Sequence, residues 1–242
     1  MRKQLFETGL DSLARILTST YKNCEVRYAN GVVPNCTRVG RGKNVRWIIT
    51  LPALNGVDVS DEDAEVINGT ADHEMDHKMF TNFDVDCPTD KIKRIANALE
   101  GARIERLGVE KYPGQASNLN AHARFHARNS IPNRFLGQLE EAIASLSYYG
   151  RGQWELVKGR FASSLPMMEM VKDLVDEAVV ATDTEDVNDI AVAIFKKWAA
   201  EQKKKKEKEE EKKTKEKNQK EDETGGGGEE GEKEQEQEHS GS

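Results

Sequence analysis

The chain has 242 residues, 36% of them hydrophobic, and a formal net charge of −7. The 36 basic residues are spread along the body and outweighed by 43 acids, which argues against a nucleic-acid binder. No stretch approaches the ~18 consecutive apolar residues of a membrane span. GxxxxGK[ST], GxGxxG and GxSxG are all missing, which removes the familiar phosphate loops and the nucleophile elbow.

The amino-terminal MRKQLFETGLDSLARIL is charged and amphipathic and lacks the apolar run of a signal peptide. Leu5, Phe6, Leu10, Leu13, Ile16 and Leu17 recur at helical spacing, so residues 3–20 are expected to form a helix. CEVRYA at 24–29 alternates as a strand does, and turn residues bracket 31–44. VRWIITLPAL at 45–54, rich in β-branched residues, is the strongest strand. Ser60 followed by three acids opens a helix through 61–80. Pro88 and Thr89 open another over 89–107, and Tyr112-Pro113-Gly114 is a turn. Helices are then expected at 117–128, 133–147, 152–162, 166–181 and 185–200.

From Glu201 the chain contains no Val, Ile, Leu, Met or aromatic residue. Such a segment buries too little apolar surface to offset its ordering entropy, so it is read as a charged low-complexity tail, disordered or a solvated helix. The chain thus divides into a domain at 1–200 and a tail at 201–242. Cys24, Cys36 and Cys87 are an odd set without CxxC spacing, which favours a reducing compartment over a disulfide framework, although a Cys24–Cys36 bridge stays open. The expectation is a soluble, cytoplasmic protein that binds neither membrane nor nucleic acid.

The chemistry concentrates at 71–84, ADHEMDHKMFTNFD, where His73, Glu74 and His77 stand in the order His-Glu-x-x-His. Histidines four apart on a helix lie about 40° apart, so both imidazoles face one way. Glu74 projects about 100° from His73, which suits a general base beside the metal rather than a ligand. With five histidines in the chain, chance would produce this pattern in about one shuffled sequence in a hundred, so a third ligand is required. IKRIANALEGARIERLG at 92–108 supplies Glu100, with Asn97 and Arg103 one turn to either side as residues to orient the ligand or the substrate. The plainer reading of Glu100 and Arg103 is an i, i+3 ion pair. Glu105 is the reserve ligand, about 140° away around the helix. Asp76, about 100° from His77, is either a further ligand or a solvent-facing residue.

His122 and His126 form a second i, i+4 pair without the glutamate; they read as surface residues, with one of them a candidate oxyanion stabiliser. Tyr148 and Tyr149 are candidates for the same role, or helix-end packing residues.

The run DHEMDHKMFTNFD (72–84), then NALEGARIERL (97–107) and KYPG (111–114), resembles the N-terminal domain of CobT-like proteins. These are phage and bacterial relatives of a cobaltochelatase subunit, similar in this region to zincin metallopeptidases. Their usual pattern is His-Glu-x-x-His, Phe-Thr-Asp-Phe, Asn-x-Leu-Glu-Asp-x-Arg-Ile-Glu and Tyr-Pro-Gly. Here Asn82 replaces the aspartate of the second element and Gly101 that of the third. The resemblance implies an α+β, mostly α, zincin-like fold: an N-terminal helix, a small sheet, the His-Glu-x-x-His helix, the Glu-ligand helix and a helical C-terminal half. It also implies one Zn2+ on His73, His77 and Glu100 with Glu74 as base.

The usual architecture continues through an acidic linker, which the tail resembles, to a von Willebrand A domain, whose Asp-x-Ser-x-Ser does not occur here. Two functions follow. One is a zinc metallopeptidase acting on a peptide or protein, with VRWIITLP adding a substrate strand along the cleft. The other is a non-catalytic metal-binding scaffold working with a MoxR-type AAA+ ATPase and a von Willebrand A partner. In a phage-encoded chain, localisation would be the host cytoplasm.

Overall fold

The computed structural model describes residues 9, 23–40, 44–53, 58–129 and 138–224. It is α+β and mostly helical. Among the described residues, three strands, β1 (Cys24–Ala29), β2 (Asn35–Val39) and β3 (Arg46–Pro52), precede seven α-helices. These are α1 (Asp61–Phe80), α2 (Asp90–Lys111), α3 (Gln115–Asn129), α4 (Gln138–Gly150), α5 (Trp154–Arg160), α6 (Leu165–Val180) and α7 (Thr184–Thr224). The expected helix at 3–20 and the first turn of the one expected at 133–147 lie outside the described residues, Gly9 excepted.

The sheet order is β1-β3-β2, with β1 parallel and β2 antiparallel to β3. β2 lies inside the 31–44 stretch read only for its turns, because NCTRV is short and largely exposed. The β-branched richness of β3 marks a central strand, bonded on both sides, so VRWIITLP has no free edge for a substrate strand. That corrects the strand-addition expectation. The order also corrects the Cys24–Cys36 bridge: β3 separates the two strands, two spacings make about 9.6 Å, and disulfides need Cα atoms within about 7 Å.

One face of the sheet packs on α1, where Ile49 and Leu51 meet Ala64, Ala71 and Met75, with Val26, Tyr28 and Cys36 alongside. α1 starts as expected: the Ser60 hydroxyl accepts from the Asp63 N–H at 3.1 Å, and three acids occupy the first turn. It stops at Thr81, whose backbone turns extended while its N–H still bonds the His77 carbonyl. α2 is capped by Thr89, which accepts from Ile92 N–H at 3.3 Å. The second core lies on its far side, where Ile92, Ile95 and Leu99 pack with Leu146, Met168, Val171, Val175 and Ile194 from α4, α6 and α7.

The Thr81–Thr89 connection is bound to the start of α7. The Thr184 hydroxyl accepts from Asn82 N–H at 2.8 Å, Asn82 Nδ2 donates to Glu185 at 2.9 Å, and Asn188 Nδ2 donates to the Asp86 carbonyl at 3.1 Å. Arg38 on β2 holds Asp84 at 2.7 Å, and Trp47 meets Phe83 edge-on at 5.0 Å.

The chain divides into compact units at Trp198 and Ala199. The second unit is helical to Thr224, one of the two states read for the tail, and residues 225–242 lie outside the described residues. Lysine and glutamate are good helix formers, and Lys203 and Glu207 pair one turn apart at 3.8 Å. Among the described residues no helix is long and apolar enough to cross a membrane.

α1 and α3 cross where Gly69 leaves room: a Cβ there would lie 2.2 Å from the Asn118 carbonyl oxygen and 2.7 Å from His122 Cβ. Backbone cannot step aside as a flexible side chain can. Gly69→Ala is therefore expected to destabilise the protein by about 1–3 kcal/mol. Urea unfolding measures this, and an unchanged midpoint would contradict the close crossing.

Candidate metal centre

α1 sets His73 and His77 one turn apart, with ring centroids 4.7 Å apart and planes at 85°. Each ring is anchored through Nδ1. His73 Nδ1 lies 2.7 Å from Glu105 Oε1, and His77 Nδ1 lies 3.0 Å from the Thr81 hydroxyl. Among the described residues neither Nε2 makes a hydrogen bond. An imidazole held at one nitrogen and bare at the other is oriented as a metal ligand is. Burial first, then the neighbouring His73 and Arg151, brings the His77 pKa down to about 3, so at neutral pH it is the uncharged imidazole that metals require.

Glu105, the reserve ligand, is the anchor of His73 and not its companion on an ion. Its carboxylate also receives two bonds from Arg151: Nε to Oε2 at 2.8 Å and Nη2 to Oε1 at 2.7 Å. Burial alone would raise the Glu105 pKa; the Arg151 charge and the His73 contact outweigh it and hold the group well below the usual carboxylate range. Sequence reasoning missed this pairing because it assigned α2 a single buried face. α2 is buried nearly all round, including Glu100, Arg103 and Glu105, so carboxylates on different sides of it all meet protein. Arg151, 46 residues beyond Glu105 in sequence, carried no local signal at all.

Glu100 is 3% exposed and held by α2 and α7. Arg103 donates to both of its oxygens, Nη2 to Oε1 at 2.7 Å and Nε to Oε2 at 2.8 Å, and Thr184 donates to Oε1 at 2.9 Å. The i, i+3 ion pair of the plainer reading is therefore present. Arg103 is itself buried and donates to the Phe80 carbonyl at 2.7 Å, which places it in the frame of the site and away from any substrate.

Two cavities flank the histidine pair. One of about 420 Å³ includes His73, Glu74, Asn97, His122 and Arg151 in its wall. The other, about 490 Å³, includes His77, Thr81, Asn97, Glu100 and Thr184. Asn97 belongs to both. Glu74 is buried, and desolvation lifts its pKa against the pull of His73.

The second histidine pair stands closer than a surface reading suggests. The His122 ring stacks on His73 at 5.9 Å, and burial, with His126 and His73 nearby, brings its pKa down to about 3. His126 is exposed and meets His122 at 4.4 Å. Tyr148 lines the first cavity and stacks on Phe161. Tyr149 turns away: its hydroxyl donates to Asp176 at 3.1 Å and its ring meets Trp154, so it is withdrawn as an oxyanion candidate.

Asp76 is neither ligand nor solvent-facing. It is fully buried against α2, where a Cβ on Gly108 would lie 2.2 Å from Asp76 Oδ2. Burial first, then Asp72 and Glu105 nearby, pushes its pKa up to about 9 against the opposing pull of Gln115 and Lys111.

The donor chemistry of the pair fits a metal ion: two anchored imidazoles with free Nε2 atoms. Among the described residues, however, no group of three or more His, Cys, Asp or Glu side chains stands ready to hold one. Compared with known proteins, the chain matches no protein-family model, no curated protein and no solved structure.

The Asp76 carboxyl is raised from 3.8 to about 9, so its contribution to stability is complete below about pH 4 and is lost as pH rises toward 9. Asp76→Asn removes that dependence without changing shape. The variant is expected to match wild type near pH 4 and to exceed it by about 2 kcal/mol or more near pH 8. Denaturant unfolding at the two pH values checks this; equal gains at both would contradict it.

Proposed function

We propose that this chain is a zinc-dependent metallopeptidase of the CobT-like kind, with a zincin-like arrangement of its helices. The observation that carries the reading is the His73–His77 pair, each ring tethered at Nδ1 and, among the described residues, without a hydrogen bond at Nε2. The sequence resemblance over 71–114 supports it independently.

His73 and His77 would hold the ion through Nε2. Glu100 would be the third donor, through Oε2, which accepts a single bond and keeps a lone pair. A zinc ion there supplies Lewis acidity toward water and a peptide carbonyl. Glu74, on the cavity wall beside His73, takes the proton of the attacking water and returns it to the leaving amine. A neutral His122 carries one ring N–H, and its stacking on His73 puts it where a developing oxyanion needs a donor. Asn97 lines both cavities, a place that suits a contact to a substrate backbone running from one to the other. β2, bonded to β3 on one side, replaces β3 as the strand for an extended peptide, and Pro34 just before it lines the first cavity.

The second reading is a metal-binding scaffold without turnover, partnered by a MoxR-type AAA+ ATPase and a von Willebrand A protein. The Arg103 and Thr184 hold on Glu100 favours it, since the third donor is engaged within the protein. The charged helix 199–224 suits a tether to such partners.

Elemental analysis of wild type, His77→Ala and Glu74→Gln separates the two. Both readings expect about one zinc per wild-type chain. Both also expect its loss in His77→Ala and its retention in Glu74→Gln. The peptidase reading further expects Glu74→Gln to slow cleavage of a denatured protein substrate by about a hundredfold or more. A zinc-free wild type would sink both readings; a zinc-loaded wild type without cleavage leaves the scaffold.

A further inference from the structure

Arg151 directly follows α4, and four of the five N–H donors of its guanidinium are engaged inside the protein. Nε and Nη2 grip the two oxygens of Glu105, while Nη1 donates to the Ser147 carbonyl at 3.1 Å and to the Ser147 hydroxyl. It lines the first cavity, but both of its edges are committed, one to Glu105 and one to Ser147, so its main effect passes through what it grips.

A carboxylate that receives two bonds from a guanidinium is held as the anion, and an anion only accepts. The contact from His73 Nδ1 to Glu105 Oε1, 2.7 Å, is then an N–H donation by the ring. The proton of the neutral ring sits on Nδ1, and the lone pair falls on Nε2.

The packing around Arg151 is built from missing side chains. A Cβ on Gly101 would lie 2.7 Å from Arg151 Nη2 and 3.2 Å from His73 Cε1, so this glycine lets the guanidinium and the imidazole share one side of α2. One residue before Arg151, a Cβ on Gly150 would lie 2.8 Å from the Ala102 Cβ, so at that point the Ala102 methyl of α2 packs directly on the backbone of α4.

We propose that Arg151 is a positioning residue that fixes the tautomer and orientation of His73 through Glu105, and that Gly101 is the space which admits it. The relay Arg151–Glu105–His73 presents Nε2 of His73 as the lone-pair nitrogen before any ligand arrives. It rests on the reading of His73 as a ligand only for its purpose; the tautomer is a property of the metal-free protein.

Long-range proton–nitrogen spectra of the nitrogen-15-labelled, chelator-treated full-length protein at neutral pH read the tautomer directly. The expected result is His73 protonated at Nδ1 and bare at Nε2. In Arg151→Gln the signals are expected to move toward the form protonated at Nε2, and zinc affinity, measured by competition with a chromophoric chelator, to fall about tenfold or more. Gly101→Ala is expected to act in the same direction by displacing the guanidinium. Arg151→Lys keeps the charge but loses the paired bonds, and is expected to lie between wild type and Arg151→Gln.

A wild-type His73 protonated at Nε2 overturns the proposal whether or not any variant folds. So does a folded Arg151→Gln with the wild-type tautomer. The expected tautomer in a wild type that binds no zinc leaves the relay standing and removes the metallopeptidase reading instead.

Discussion

A buried helix that carries polar side chains must find partners for them from its neighbours, and α1 imposes that demand on the whole body. Asp72, Glu74 and Asp76 are buried along it, interleaved with two histidines that are themselves largely enclosed. An isolated charge in such surroundings is prohibitively costly, so each group is either paired or neutral. α3 supplies Asn118 to Asp72 at 2.9 Å, and α2 supplies Glu105 to His73. Arg151 then neutralises Glu105, and Asp76, buried beside Asp72 and Glu105, has a pKa that keeps it protonated at neutral pH. The helices stand where they do in large part because these polar groups leave them few alternatives.

The same demand explains why the site is enclosed by connections as well as helices. Thr81 ends α1 and anchors His77, so the residue that terminates the helix also aims the ring. Thr184 accepts from the connection at Asn82 and donates to Glu100. One hydroxyl therefore joins the 81–89 segment, the start of α7 and the candidate carboxylate. Arg103 does the same on a larger scale, joining Glu100 to the end of α1 through the Phe80 carbonyl.

Local patterns were legible in proportion to how local their causes are. The Ser60 cap, the extent of α1 and the pairing of two histidines on one face follow from the helical repeat and were readable from the sequence. The strand at 46–52 was readable as well, but its central place was not, since sheet order depends on where β2 returns and β2 has little hydrophobic pattern. The site was half legible. His73, Glu74, His77 and Glu100 come from two marked motifs. The role of Glu105 needed the knowledge that α2 is buried on nearly every side, and Arg151 needed the packing of α4 on α2. Neither is written in spacing. The helical course of 199–224 was only partly readable, because lack of apolar residues rules out a core but does not forbid a helix.

Gly108 carries a consequence for how this sequence is free to vary. The Asp76 carboxylate fills the volume that any side chain at 108 would need, so the two positions, 32 apart along the chain, share a single allotment of space. A larger residue at 108 requires a smaller one at 76, and a lone enlargement of either meets the other. Drift at these sites is therefore confined to paired, compensating exchanges, and the aspartate inside the His-Glu-x-x-His repeat is tied to a glycine on the next helix by volume rather than by chemistry.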